Sequence, residues 1–79
     1  MRDEILSVFQ DVRLEQQSWA PEDYPVRLAT WSIRLRLENK YPYRRWQCHE
    51  LRPVLMEMSE IDKDKQYSRR GNAVWRLKS

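Results

Sequence analysis

Apolar residues recur at helical spacing near the start of the chain. Ile5, Val8, Phe9 and Val12 share one face of a helix over residues 3–17, and Leu6 widens that stripe. Asp3 is placed to cap this helix, and Glu4 suits the positive end of its dipole. Residues 18–25, Ser-Trp-Ala-Pro-Glu-Asp-Tyr-Pro, form a connector, because two prolines forbid helix continuation. Val26-Arg27-Leu28 then alternates as a very short strand. Thr30 is positioned as the N-cap of a second helix over 30–38, with Ile33 and Leu37 one turn apart facing the core. Asn39 tolerates a left-handed residue at its end. Tyr41-Pro42-Tyr43 is a stiff turn, since proline fixes its own φ and pushes the preceding residue extended.

Leu51, Val54, Leu55 and Met58 lie at i, i+3, i+4 and i+7 and predict a third helix over 44–59. Pro53 interrupts that stretch. Either the helix runs continuously from Arg44 or Arg45 with a local irregularity, the reading adopted, or it begins as late as Arg52 with Pro53 in its first turn. Two extended runs follow, Ile61–Tyr67 and Ala73–Leu77. Gly71, the one glycine of the chain, marks the bend between them and predicts a hairpin over 61–77. The predicted fold is α+β: one domain over 1–79, with three helices, a very short first strand and a C-terminal β-hairpin.

Seventy-nine residues bury only a modest core, so large aromatic fillers matter. Trp31 and Trp75 are expected in that core. Trp19 is expected to close one edge of it or to meet a partner. A single cysteine permits no internal disulfide, which points to a reducing, cytoplasmic setting. Met1-Arg2-Asp3-Glu4 lacks the layout of a signal peptide, and no apolar run reaches membrane-spanning length.

Charge is unevenly distributed. Residues 1–25 carry two Arg against six Asp and Glu, a balance of −4, whereas residues 26–79 carry thirteen Lys and Arg against six acids, a balance of +7. The second stretch is the one suited to a polyanion. Enzymatic chemistry finds little to use. One His and one Cys are too few for a zinc-finger metal site. Cys48 and His49 are neighbours, so on a helix they diverge by about 100° and make a poor nucleophile–base pair. Cys48 is expected as an inert core thiol. One glycine cannot build a glycine-rich phosphate loop. Asp62 and Asp64 alternate with Lys63 and Lys65 and read as solvated charge on a strand edge. No catalytic residue, metal or cofactor is expected.

The element order and the second half of the chain resemble the winged helix-turn-helix family. The resemblance rests on Leu51, Leu55 and Met58 in the third helix, Ile61 at a strand start, a basic loop, and the closing Val74-Trp75-Arg76-Leu77. It spans residues 26–77, with helix 3–17 as the usual first helix. Ser59-Glu60 stands where many members have glycine, and Pro53 is unusual inside a recognition helix. The resemblance implies double-stranded DNA as partner, with the third helix entering the major groove and the hairpin, or wing, on the backbone or minor groove beside it.

That docking makes Arg44, Arg45, His49 and Arg52 the candidate contacts of the helix. Arginine pairs bidentately with guanine, and histidine donates or accepts at a base edge. Arg69 and Arg70 are the candidate wing contacts, extended by Lys63, Lys65 and Gln66. Arg34, Arg36 and Lys40 are phosphate candidates from the second helix, and the Tyr41 and Tyr43 hydroxyls either reach phosphate or pack in the turn. The role implied is a transcriptional regulator or an accessory factor in recombination or replication, with homodimerisation through the first helix. The alternative is a winged-helix module that binds another protein through Trp46, Pro53, Met56 and the acidic first helix. No membrane partner is expected.

Overall fold

The structure is a computed structural model and describes residues 1–78. Helix α1 (Arg2–Gln16) forms where the first apolar stripe runs, and Ile5, Val8, Phe9 and Val12 are its buried residues. It begins one residue earlier than expected, so Met1 is its cap and Asp3 lies within the first turn. Asp3 therefore still faces the positive helix end, but it does not cap it. After Gln17 the chain tightens, with Trp19 N and Ala20 N both donating to Gln16 O, and the prolines at 21 and 25 prevent a further turn.

Strand β1 (Arg27–Ala29) runs directly into helix α2 (Thr30–Lys40) with no loop between them. The N-cap is Ala29, not Thr30. The Thr30 hydroxyl is buried and directed elsewhere: it donates to Ala73 O at 3.3 Å and accepts from Trp75 Nε1 at 2.8 Å. A strand that becomes a helix without a turn leaves its first helical side chain facing the sheet, so Thr30 joins the two layers. Ile33 and Leu37 are buried as the periodicity predicts. Trp31 is not: it is 54% exposed. Two residues along a helix is a rotation of about 200°, so a helix that buries Ile33 turns Trp31 to solvent. The helix also runs two residues past its expected end. Asn39 stays within it, and among the described residues no non-glycine residue takes a positive φ. Tyr41 N closes the last turn on Leu37 O at 2.7 Å.

Helix α3 (Cys48–Glu57) is shorter than the stretch 44–59 predicted for it. Residues 44–47 lie before it because Trp46 is drawn into the core. Trp46 is 1% exposed, its ring lies 6.3 Å from those of both Tyr41 and Tyr43, and its Nε1 donates to Tyr41 O at 2.9 Å. Of the two places open to Trp46, a protein-contact surface or the core, it takes the core. An indole with its N–H satisfied removes more apolar area from water in the core than any outer position allows. Pro53 lies inside α3, and the helix continues through it. Pro53 has no amide to offer the His49 carbonyl, but both residues are exposed and solvent is accessible there. Leu51 and Leu55 are buried from α3, and Met58, just past its end, joins them.

Strands β2 (Ile61–Lys63) and β3 (Val74–Leu77) complete an antiparallel sheet in the order β1-β3-β2. Leu28, Trp75 and Lys63 lie opposite one another, as do Arg27, Arg76 and Asp62. β2 stops well short of Tyr67. From Asp64 the chain leaves the ladder, and Asp64 Oδ1 accepts the amides of Gln66 and Tyr67 at 3.1 and 3.3 Å. An aspartate that bonds amides two and three residues on favours a turn over a strand. The bend predicted at Gly71 is present: Arg69 and Asn72 exchange backbone hydrogen bonds at 2.9 and 2.8 Å, and Gly71 takes φ 78°. An added Cβ there meets no atom within 4 Å, so only the backbone angle demands glycine.

Side chains from all three helices and all three strands share one core, with Phe9, Ile33, Leu37, Trp46, Leu51, Leu55 and Trp75 among its members. Truncating Trp46 to Ala removes a buried indole and is expected to cost about 3–5 kcal/mol. The same truncation at Trp31 is expected to change stability by no more than about 0.5 kcal/mol. Urea unfolding of the two variants checks the contrast, and equal losses would contradict the assignment of the two rings.

Candidate nucleic-acid interface

An open cleft of about 750 Å³ lies between α2 and the start of α3, lined by Arg34, Glu38, Arg45, Trp46, Gln47, Cys48, His49 and Arg52. The buried Trp46 is what places it. By anchoring the chain ahead of α3, it leaves Arg45 before the helix and His49 and Arg52 in its first turns, all three exposed. Gln47, the cap, makes no side-chain bond to the first turn of α3. The start of the helix thus opens into a basic cleft, where its dipole favours an anion. Cys48 lines this cleft as a half-buried free thiol and is not the core residue expected.

The other predicted cations of this region are engaged. Arg34 binds Glu38 at 2.9 Å, one turn along α2. Arg44 lies 4.5 Å over the Trp46 ring and reaches Glu50 at 2.8 Å. Exposed pairs of this kind are weak, so a phosphate can displace the carboxylate at little cost. Arg36 and Lys40 differ: they bind Glu15 and Asp11 of α1 at 2.9 and 2.8 Å. They tie α2 to α1 and are directed away from the cleft, so the structure does not support them as phosphate contacts. Tyr43 donates its hydroxyl to Glu4 at 2.8 Å, and the Tyr41 hydroxyl meets Ser7 at 2.7 Å. Both tyrosines serve the packing of the turn.

The second basic region is the loop between β2 and β3. Lys65, Arg69 and Arg70 are exposed there, and Lys63 at the end of β2 adjoins them. The Arg69 guanidinium folds onto its own loop and donates to Gln66 O and Ser68 O at 3.2 and 3.3 Å. Arg70 stands at the tip. The expected row of alternating charges on a strand edge does not form, because Asp64 turns inward. Its carboxylate accepts Arg27 Nε at 2.6 Å, and Arg27 also lies 4.3 Å over the Tyr67 ring. That guanidinium, with the amides of Tyr67 and Gln66, holds the Asp64 carboxyl below the usual aspartate range.

Sequence reasoning missed Arg27 and Arg76. They are cross-strand partners in β1 and β3, so they share one face of the sheet. Strand alternation places each of them opposite its strand's buried residues, which was a usable signal. Among the described residues, the cations with no carboxylate within 4.0 Å are Arg13, Arg45, Arg52, Lys63, Lys65, Arg69, Arg70 and Arg76. All but Arg13 lie at the cleft, in the loop or on the sheet. The unpaired acids are Asp3, Glu22, Asp23 and Glu57, three of them in the first third of the chain. Internal pairing thus leaves in place the charge separation already present along the chain.

Among the described residues no group of three or more His, Cys, Asp or Glu lies close enough to hold a metal ion, and no helix is long and apolar enough to cross a membrane. Comparison with family models, curated proteins and solved structures finds no match.

The Glu4–Tyr43 contact makes a titration test. The Met1 ammonium, at 2.9 Å, and then the Tyr43 hydroxyl lower the Glu4 pKa to about 2, and the Glu4 carboxylate in turn raises that of Tyr43. A carboxyl depressed on folding adds stability above its unfolded pKa, and that contribution is lost as pH falls from there through about 2. NMR titration is expected to show Glu4 still ionised at pH 3, and Tyr43→Phe to move its midpoint upward. A Glu4 midpoint near 4.5, the ordinary value, in the wild type would refute the contact.

Proposed function

We propose that this chain binds double-stranded DNA as a winged helix-turn-helix domain. The observation carrying the reading is the distribution of unpaired cations: after internal ion pairing, all those among the described residues except Arg13 and Arg76 lie at the start of α3 or in the hairpin of β2 and β3. The element order α1-β1-α2-α3-β2-β3 and the sheet order β1-β3-β2 are consistent with the family resemblance. In this reading α3, ten residues and so about 15 Å long, enters the major groove by its N-terminal end. Arg52 and His49 face base edges, Arg45 and the first-turn amides face phosphate, and Arg34 and Arg44 exchange their carboxylates for phosphates. Arg69 and Arg70, with Lys63 and Lys65, lie on the adjoining backbone or minor groove.

A single domain of this size reads few base pairs. Two copies joined through α1, where Leu14 is exposed, double the site. Regulation of transcription, or an accessory role in recombination or replication, is the setting such a factor fits. The alternative protein-binding surface loses its largest member, because Trp46 is buried. Pro53, Met56 (75% exposed) and the acidic first helix are what remains of it.

Titration of a fluorescent duplex library separates the roles. Affinity is expected to fall linearly on a log–log scale with added salt, by a slope of about 0.9 per phosphate neutralised. Arg52→Ala is expected to cost about 1–3 kcal/mol and to relax base preference. Arg70→Ala should weaken all sequences alike and lower the salt slope by about 1. No duplex binding at low salt would refute the reading and favour the protein partner.

A further inference from the structure

Asp64 carries a negative charge into the most basic loop of the chain, between Lys63 and Lys65 and close in sequence to Arg69 and Arg70. Its side chain is only 8% exposed. Every polar group it has is used. Oδ2 accepts Arg27 Nε at 2.6 Å, and Oδ1 accepts the amides of Gln66 and Tyr67. The Asp64 amide donates to Val74 O at 2.8 Å, and its carbonyl accepts the Ser68 amide and hydroxyl at 3.0 and 2.7 Å. Ser68 Oγ in turn accepts the Val74 amide at 2.9 Å. The loop is thus fastened at one residue to β1, to β3 and to itself. Arg69 then donates to Gln66 O and Ser68 O, the same short segment that Asp64 holds.

We propose that Asp64, held by Arg27, is a positioning residue for DNA contact: it prefolds the loop so that Arg69 and Arg70 meet phosphate without first being ordered. The proposal rests on the DNA reading above. A loop folded before binding incurs no ordering cost at the moment of contact, and that difference appears in affinity. Bulk electrostatics makes the opposite prediction. A carboxylate beside phosphates repels them, so removing it should tighten binding. The sign of the effect therefore separates the two accounts.

Asp64→Asn and Asp62→Asn each remove one negative charge from the same hairpin. Asp62 is a fair control, since its partner is the exposed Lys78 at 3.5 Å and it holds no loop amide. Duplex affinity is measured for both at fixed low salt, with folding checked under the same conditions by far-UV circular dichroism. The expected result is binding by Asp62→Asn equal to or tighter than wild type, and binding by Asp64→Asn weaker by about tenfold with base preference unchanged. Amide exchange on the wild type needs no variant: Gln66 and Tyr67 amides are expected to be protected before DNA is added. Asp64→Asn binding as tightly as wild type or tighter, or unprotected Gln66 and Tyr67 amides in the free protein, would overturn the proposal while leaving the DNA reading intact. Failure of the wild type to bind any duplex would overturn both.

Discussion

The four residues Val74–Leu77 hold the molecule together. As the middle strand of three, β3 supplies hydrogen-bond partners to β1 on one side and β2 on the other. Trp75 fills the core on one face and donates its indole N–H to Thr30, the first residue of α2. Ala73, just before the strand, accepts from both the amide and the hydroxyl of Thr30. Val74 binds Asp64 and Ser68 at the base of the basic loop. Elements distant in sequence are therefore referred to one short strand. In a domain this small no second layer of contacts is available to position them.

Trp46 is the corresponding anchor on the helical side. A residue buried just before a helix sets where that helix starts and which side of its first turn faces outward. The ring packs with Tyr41 and Tyr43, whose hydroxyls reach Ser7 and Glu4 of α1. One aromatic cluster thus links the start of α3 to α1. The proposed interface is assembled from two such devices, a helix start held by Trp46 and a loop held by Asp64. Both are properties of the free chain, which favours a surface formed before any partner arrives.

Ion pairing shapes that surface by subtraction. The acids of α1 neutralise Arg36 and Lys40 of α2, and Asp64 neutralises Arg27. These pairs link elements to one another and leave the cleft and the loop positive. Arg34 and Arg44 are intermediate cases, since each is paired with a nearby carboxylate on an exposed surface.

What the sequence determined by itself is local. Periodicity placed Ile5, Val8, Phe9 and Val12 on one buried face, did the same for Ile33 with Leu37 and for Leu51 with Leu55, and the single glycine marked the bend at Gly71. The uneven charge of the two parts of the chain was equally plain. Which tryptophan went inside was not: Trp31, expected in the core, faces solvent, and Trp46, for which core and surface were both open, fills it, because burial of a large ring depends on the space neighbouring elements leave for it. Thr30 and Asp64 likewise bond across the sheet, to residues with which they share no local pattern. Local propensity acts between residues a few positions apart, as in the bonds of Trp46 to Tyr41 and of Asp64 to the Gln66 and Tyr67 amides, whereas the burial of Trp46 and the bonds of Thr30 to Trp75 and Asp64 to Arg27 are set by distances in space. Tertiary packing alone decides those distances, and with them which cations remain unpaired.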